Sequence, residues 1–414
     1  MTYPASPLVT EPLNGLSEIQ GLAELPNDFL PFLISIRRRL HMHPEVGFQE
    51  EQTSRFIRNK LENYGLPVQG PLAETGLFVD IVGTQPGPIV GYRADMDALS
   101  IQDAKPVPYA SQHAGVAHLC GHDAHTTVAL GVALVLNQLR DQLRGTVRVF
   151  FQPNEEGSPS GSIPMIRDGV LQGLEAAYCI HVDPTLEAGR YGLLVGPVTA
   201  TADRFGVHIH APSTGHSARP HQAKDTIWIA MQVLNLFYQL AGRVTDARNA
   251  AVLTTCVFRG GDVHNVIPAD VMFEGTLRCL NNDDRNTIKT YMRHTAEQFA
   301  ALHEVTIEVT FQQGVPSVVN DRRLIANVRD TIVHLFEPDA VYDIPVPSMG
   351  SEDFANYLDY VPGALIRVGT QSGKRTGFPL HDAQFDIDEA VLAPTVQLMA
   401  GVLINHLRNR VVGG

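Results

Sequence analysis

The stretch CGHDAHTTVALGVALVLNQLRDQLRGTVRVFFQPNEEG (residues 120–157) joins a helical pattern to a strand pattern, with polar residues beside each. After the polar cluster CGHD, apolar residues recur with helical periodicity over residues 124–143, and the helix is expected to stop at Gly145. The segment TVRVFFQ has the β-branched and aromatic residues of a strand, and Glu155 and Glu156 follow it. The stretch therefore predicts a helix that leads into one strand of an α/β fold.

Short apolar runs of the same kind lie on both sides of this stretch. PIVGYRA (88–94) leads to Asp95 and Asp97, and EAAYCI (175–180) is predicted to end at His181. Strands that alternate with helices predict an α/β fold with a doubly wound, mixed and mostly parallel sheet. Ligands bind beyond the carboxyl ends of strands in such sheets, so we expect these polar residues and the two glutamates to form one site.

The middle of the chain follows a different order. Its predicted elements are a strand (203–211), a helix (223–242), two strands (251–260 and 269–280), a helix (283–302) and a strand (304–311). This is the β-α-β-β-α-β order of ferredoxin-like domains. We therefore predict an inserted domain at 199–312, between the two parts, 1–198 and 313–414, of a discontinuous catalytic domain.

The chain totals agree with a two-part globular protein. Its 414 residues exceed what one core usually serves. The net charge of −13, with no basic run, disfavours nucleic acid and anionic membranes as partners. We find no apolar run of the roughly 18–20 residues that a membrane span needs.

The cysteines and the N-terminal sequence indicate a compartment. Four cysteines in so long a chain do not form a disulfide framework, which favours a reducing cytoplasm. The opening MTYPASPLVTEPLNGLSEIQ has no basic segment followed by an apolar one, so we expect no signal peptide and a cytoplasmic location.

The cluster CGHD has the residue types of a metal site. Thiolate, imidazole and carboxylate suit zinc or another borderline divalent ion, and Gly121 can bend the chain to aim Cys120 and His122 at one point. The following helix N-terminus is expected to lower the pKa of the thiol.

Three more residues are candidate ligands. Glu156 and His181 are expected at neighbouring strand ends, and His381 follows the last predicted strand, PGALIRVG (362–369). Five ligands with a sulfur able to bridge would fit two metals about 3.5–4 Å apart.

Two other interpretations of the cluster stay open. It could be a polar turn, and for His118 and His125 we favour a place at a helix start or behind the ligands. Cys120 could also be a nucleophile with His122 as its base, but that hypothesis leaves the glutamates, the aspartates and His181 without a role.

Seven motifs in order resemble the peptidase M20 family, in its amidohydrolase branch of N-acyl-amino-acid, hippurate and auxin-conjugate hydrolases. The resemblance extends over residues 30–410. The motifs are HMHPEVGFQEEQT (41–53), YRADMDAL (92–99), CGHDAHTT (120–127), FFQPNEEG (150–157), HSARPH with KDTI (216–227), NVIPADVMFEGTLR (265–278) and GSEDFA (350–355).

The resemblance implies a zinc-peptidase-like catalytic domain with an inserted lid or dimerisation domain, and a homodimer. It also implies two divalent metal ions, with Zn, Mn, Ni and Co all compatible with the donor set. The ligands that it implies are Cys120, His122, Glu156, His181 and His381. Leu119, Asn154 and the glycine-poor EEGSPSGS depart from the usual pattern; they leave the ligand set intact but bear on the pocket shape.

The resemblance also assigns catalytic roles. Glu155 would be the general base that takes a proton from a water activated by the metals and passes it to the leaving amine. His216 would polarise the tetrahedral intermediate, either within its own subunit or across a dimer. Asp97, or else Asp95, is a candidate to orient a ligand histidine.

Substrates of this class carry a free carboxylate. Asn265 and Arg278 are candidate partners, because an arginine fork matches a carboxylate, although Arg278 could instead form a structural ion pair. Gly350 and Ser351 could line the pocket through backbone groups or simply begin a helix.

The leading hypothesis is a metal-dependent amidohydrolase that cleaves N-acyl or N-aroyl amino acids, which are small-molecule substrates. A dipeptidase or carboxypeptidase on the same machinery is the nearest alternative. A non-catalytic metal-binding protein of the same fold is the third; the presence of Glu155 beside a full ligand set argues against it.

Overall fold

A computed structural model describes Leu22, residues 25–312, residues 314–409 and Val411. The first twenty residues, on which the expectation of no signal peptide rests, lie outside this range. The described residues form two compact units. The first takes the described parts of 1–193, 322–343 and 364–414, and the second takes those of 194–321 and 344–363.

The described residues contain eight α-helices and sixteen strands. The helices are α1 (Phe29–Met42), α2 (Glu51–Glu62), α3 (His122–Gln138), α4 (Ser162–Arg167), α5 (Thr226–Leu240), α6 (Asn282–His303), α7 (Arg322–Leu335) and α8 (Leu392–Asn409). The strands are β1 (Val68–Leu72), β2 (Gly76–Val82), β3 (Gln85–Asp95), β4 (Arg144–Gln152), β5 (Leu174–Glu187), β6 (Tyr191–Leu193), β7 (Gly196–Pro197), β8 (Asp203–His210), β9 (Gly215–His216), β10 (Ala251–Gly260), β11 (Val266–Ile267), β12 (Asp270–Cys279), β13 (Thr306–Phe311), β14 (Val319–Asn320), β15 (Val341–Asp343) and β16 (Gly363–Gln371).

The first unit is built on an eight-stranded mixed sheet of order β1-β2-β4-β3-β5-β16-β6-β15. β3 runs parallel to both β4 and β5, whereas β2 is antiparallel to β4 and to β1. The central strands read as nearly continuous buried runs, because both faces of the sheet are covered. The predicted mixed α/β sheet is therefore present.

Two boundaries differ from the sequence prediction. The helix predicted for 124–143 is α3, which begins at His122 and gives way to a short 3₁₀ turn at Arg140–Gln142. β5 does not end at His181; it continues to Glu187, beyond Cys179, the last residue that it pairs with β3. The strand continues because β16 lies on its other side.

Within the described residues, one helical stretch, Glu389–Asn409, is long and apolar enough to span a membrane. The expectation that no run reaches this length was therefore wrong. Most of the stretch is buried in the core of the first unit, where α8 packs against α1, α3 and α7. The core helix of a globular domain meets the same length criterion, so its burial accounts for its composition.

The second unit contains a four-stranded antiparallel sheet of order β10-β12-β8-β13 and the helices α5 and α6. Its order along the chain is β8-α5-β10-β12-α6-β13. Burial alternates along β8, so Phe205, Val207 and Ile209 face a core that includes Phe237 and Met292 of the helices.

This unit is larger than the predicted range of 199–312. The short strands β7 and β14 pair with each other, and Ala200 N donates to Gly350 O at 2.8 Å. Through these bonds the second unit also includes residues on both sides of 199–312 and the segment 344–363. Its role as a lid or dimerisation domain stays a prediction.

Candidate metal centre

The turn CGHD (residues 120–123, the CGHD turn) depends on its glycine. Gly121 has a φ of 86°, and a Cβ there would lie 2.3 Å from Val182 Cγ2. Only glycine fits this left-handed, crowded position without strain. The bend places Cys120 Sγ 3.5 Å from His181 Nε2, and the donor atoms of Cys120, His122 and His181 all lie within 4.8 Å of one another.

His122 presents one nitrogen to this cluster. Its Nδ1 lies 3.0 Å from the carbonyl oxygen of Asp97 and 3.1 Å from that residue's Oδ1, so Nδ1 carries the proton. Its Nε2 is buried and has no hydrogen-bond partner among the described residues. A buried imidazole lone pair without a partner is what a metal ligand looks like in the absence of its ion.

The charges around His122 favour a cation. Burial opposes protonation of the ring, but the carboxylates of Asp95 and Asp97 raise its pKa well above the usual value. A bound metal ion would supply the positive charge that these carboxylates stabilise while leaving the imidazole neutral.

His181 is oriented by the backbone. Its Nδ1 donates to Val182 O at 2.8 Å, so Nε2, which faces Cys120, carries the lone pair. Burial, with a contribution from Arg367, lowers the pKa of His181 well below its usual value. The ring is therefore neutral, as a ligand must be.

The two adjacent glutamates lie on an irregular turn after β4. Asn154 has a φ of 51°, so the chain leaves the extended conformation before Glu155. As a result the carboxylates of Glu155 and Glu156 both lie within 4.8 Å of a His122 nitrogen, with Glu155 Oε2 at 4.0 Å from Nε2. In a regular strand they would point to opposite faces.

The sequence analysis did not identify the residues that set this bend. The Asn154 side chain fills the space beside Gly157 and Gly47, where a Cβ would overlap it, and its backbone N donates to Glu50 Oε1 at 3.0 Å. Asn154 had been noted only as a departure from the family pattern. The signal in the sequence was an asparagine between a proline and a glutamate, because asparagine adopts left-handed backbone conformations more readily than most residues.

His381 completes the cluster from the loop of residues 379–388, the His381 loop. Its Nε2 lies 3.0 Å from Glu156 Oε1, and the donor atoms of Cys120, Glu156 and His381 lie within 4.8 Å of one another. The Cys120 thiol and the Glu156 carboxylate raise the pKa of His381 to about 10. Here too the surroundings favour positive charge.

The thiol differs from the sequence expectation. Burial raises the pKa of Cys120, and the nearby Glu156 carboxylate adds to the increase, whereas the helix N-terminus was expected to lower it. A buried thiol becomes a thiolate readily only when a cation is bound to it.

Two further histidines of the cluster have other surroundings. His125 donates from Nδ1 to Asp95 Oδ1 at 2.7 Å and accepts from Val182 N at 3.0 Å, so both ring nitrogens are occupied. It holds the CGHD turn against β3 and β5. His118 is buried, and neither of its ring nitrogens has a hydrogen-bond partner within the described residues.

The donor set fits divalent metal ions. Two groups of three donors, Cys120 with His122 and His181, and Cys120 with Glu156 and His381, share one sulfur. Thiolate, imidazole and carboxylate donors suit a borderline divalent ion, and a shared thiolate suits a pair of them.

The five remaining predicted site residues lie in the second unit, in two groups. β9 pairs with β11, and Ser217 N donates to Asn265 O at 3.1 Å, so His216 and Asn265 lie side by side. Arg278 donates to Met349 O at 3.0 Å, next to Gly350. Arg278 thus has a backbone partner, and Ser351 is exposed.

Residues 91–405 match the model of peptidase family M20/M25/M40. The N-acetyl-L-cysteine deacetylase of Bacillus subtilis is 37% identical over 360 residues, which are 87% of this chain and 84% of the relative. The N-acyl-L-amino acid amidohydrolase of Geobacillus stearothermophilus is 38% identical over 289 residues, 70% of this chain and 78% of the relative.

A solved structure agrees with these relatives. The YXEP protein of Bacillus subtilis, described as a dinuclear metal-binding peptidase of the M20 family, superposes with a TM-score of 0.81 at 33% identity, covering 92% of this chain and 99% of that one. Together with the convergent donors, these matches establish that the chain belongs to peptidase family M20/M25/M40 and is a metal-dependent hydrolase of amide bonds.

Proposed function

We propose that the enzyme hydrolyses the amide bond of N-acyl or N-aroyl amino acids to a carboxylic acid and a free amino acid. The observation that carries this proposal is that four donor residues lie around the sulfur of Cys120, with Glu155 beside them. The names of two relatives, a deacetylase of N-acetyl-L-cysteine and an amidohydrolase of N-acyl-L-amino acids, support this substrate class.

Five residues would hold two divalent ions, with Cys120 shared: Cys120, His122, Glu156, His181 and His381. Zn, Mn, Ni and Co are all compatible with these donors. When bound, such ions lower the pKa of water from about 15.7 to about 7 and stabilise developing negative charge.

The protein's own residues then move the proton. Glu155 takes a proton from the attacking water and delivers it to the leaving nitrogen. Asp97 fixes the tautomer and direction of His122 through its carbonyl and carboxylate, and it also accepts from Glu156 N at 3.0 Å. One aspartate thereby positions two ligands.

The second unit would supply the substrate contacts. By family resemblance we assign His216 to the developing oxyanion, and Asn265, Arg278, Gly350 and Ser351 to the substrate carboxylate and its surroundings. We further propose a homodimer through this unit and a cytoplasmic location, as the resemblance and the cysteine usage suggest.

The first test is metal content and hydrolysis on the purified protein. Divalent metal is measured by elemental analysis, and release of amino acid is followed for hippurate, several N-acetyl amino acids and a dipeptide, before and after chelation. We expect bound metal and chelator-sensitive release from an N-acyl substrate. Turnover of the dipeptide alone would favour the dipeptidase alternative.

Glu155→Gln separates catalysis from binding, because the amide keeps the shape of the side chain but cannot take a proton. We expect metal content to match the wild type and kcat to fall by about 100-fold or more. Full activity in this variant would contradict the base assignment. Metal bound by a wild type that hydrolyses no amide in a broad panel would favour the non-catalytic alternative.

A further inference from the structure

The geometry points to Arg37 as a positioning residue that ties the CGHD turn to the His381 loop. Its guanidinium lies in α1 and is fully buried. A buried arginine must be paired, because its charge cannot be removed by deprotonation. The identity of its partners shows what it holds together.

Each nitrogen of Arg37 faces a different carboxylate. Nε lies 2.8 Å from Asp123 Oδ2, Nη2 lies 2.9 Å from Asp386 Oδ1, and Nη1 lies 3.3 Å from Glu389 Oε1. Asp123 and Asp386 have no exposed side-chain surface. The planar fork thus bridges two residues that lie 86 and 349 positions later in the chain.

These partners are neighbours of the proposed ligands. Asp123 directly follows His122, and Asp386 lies in the same loop as His381. Neither carboxylate is available to a metal. Asp123 also accepts from His41 Nδ1 at 2.7 Å and from Ala124 N at 3.0 Å, while Asp386 accepts from Tyr109 at 2.7 Å. Their contacts fix the position of the CGHD turn and of the His381 loop.

The His381 loop needs such support. His381 has a φ of 68°, a left-handed conformation that costs a non-glycine residue free energy and persists where surrounding contacts enforce it. One contact is the bond from His381 N to Leu119 O at 2.8 Å, which joins the loop to the residue that precedes the CGHD turn. Arg37 ties the same two segments a second time, through Asp123 and Asp386.

This inference rests on the proposed function, because it concerns how firmly the two segments present their donors to metal. Without the fork, Asp123 and Asp386 lose their shared cation inside the core and the two segments lose a common anchor. The effect expected is weaker metal binding, of the 10–100-fold size found when residues supporting metal ligands are replaced.

The test uses Arg37→Lys, which keeps the charge but loses the planar fork, and Asp386→Asn, which keeps the shape and loses the charge. Arg148→Lys is the matched control. Arg148 is also a buried fork of the first unit, paired to both oxygens of Asp80 and to the carbonyls of Val170 and Gln172. None of these partners adjoins a proposed ligand.

Affinity for Zn²⁺ and Co²⁺ is measured by competition with a chromophoric chelator, and the Co²⁺ absorption spectrum reports the thiolate contact. We expect Arg37→Lys and Asp386→Asn to bind metal 10–100-fold more weakly, and Arg148→Lys to stay within about threefold of the wild type. At saturating metal, kcat of the two test variants should return toward the wild-type value with KM unchanged.

The outcomes separate the two proposals. A wild type that binds no divalent metal overturns the proposed function and this inference together. A wild type that binds metal, with affinities of Arg37→Lys and Asp386→Asn no weaker than that of Arg148→Lys, overturns this inference alone. Failure of excess metal to restore kcat would also contradict a positioning role. If Arg37→Lys does not fold, Asp386→Asn carries the comparison.

Discussion

Gly121 is the residue on which the shape of the CGHD turn depends. Two separate constraints act on it, a φ of 86° and contact with Val182. Gly115 has the first constraint only, since its φ is 76° and a Cβ there would meet open space. Comparing substitutions at Gly115 and Gly121 therefore separates the effect of backbone strain from that of crowding.

We predict that Gly115→Ala lowers the free energy of unfolding by about 1 kcal/mol, the cost of a left-handed alanine. Gly121→Ala should lower it by about 2–4 kcal/mol and reduce bound metal, because the added methyl group must displace Val182 and shift Cys120 and His122. Urea unfolding and metal analysis measure both effects. Equal losses in the two variants, with metal retained, would show that crowding at Gly121 has no consequence.

Glu50 links pH to stability. It is buried, and burial raises its pKa from 4.5 to about 7 against the lowering effect of its hydrogen bonds from Thr75 and Asn154. The native state therefore holds this proton more tightly than the unfolded chain does. Stability from this group is present below pH 4.5 and is lost as the pH rises toward 7.

We predict that Glu50→Gln removes this pH dependence, which amounts to about 3 kcal/mol at most across that window. The free energy of unfolding measured by urea at several pH values from 4.5 to 8 tests it, with the exposed Glu62→Gln as control. If the Glu50→Gln difference from wild type stays constant over this range, the linkage is wrong.

At the scale of elements, α3 and α8 pack closely because α3 has a glycine at the contact. A Cβ at Gly131 would lie 2.6 Å from Val396 Cγ2 and 3.0 Å from Leu33 Cδ2. Alanine is the better helix former by about 1 kcal/mol, so the glycine is retained against its propensity. The contact between the helices explains it.

The packing predicts that Gly131→Ala changes the stability in opposite directions when residue 396 is valine and when it is alanine. Gly131→Ala should destabilise the wild type by about 1–2 kcal/mol, since overlap with Val396 outweighs the gain in propensity. In the background of Val396→Ala the same substitution should stabilise by a few tenths to about 1 kcal/mol. Thermal or urea unfolding of the four proteins measures the cycle. Destabilisation of equal size in both backgrounds would locate the conflict elsewhere.

At the scale of the whole molecule, the second unit exposes apolar side chains. On α5 these include Trp228 and Met231, which are 50% and 58% exposed, and on the edge strand β10 they include Val252 and Phe258. An apolar face beside an unpaired strand edge is the physical means for the proposed homodimer.

We predict a dimer by sedimentation equilibrium at micromolar concentration. Met231→Glu should shift the equilibrium toward monomer, because a charge would be buried in the interface. Tyr64→Glu, at a similarly exposed apolar residue of the first unit, should not. A wild-type monomer over the whole concentration range would contradict the homodimer.

Much of the protein follows from local sequence patterns. Helical and strand periodicity predicted the α/β unit with its mixed sheet and the β-α-β-β-α-β order of the second unit, because periodicity is a property of neighbouring residues. The motifs CGHD and EEG pointed to three of the proposed donors, Cys120, His122 and Glu156, because each of these residues lies in or beside a turn.

Only the tertiary structure decided what depends on distant residues. The left-handed turn at Asn154 is held by Glu50, 104 positions away, and Arg37 meets Asp386 349 positions away. The extension of β5 past His181 depends on β16, and the raised pKa of the Cys120 thiol depends on burial by the whole unit. A sequence states which side chains are present in a turn, whereas their surroundings come from segments that the chain brings together only on folding.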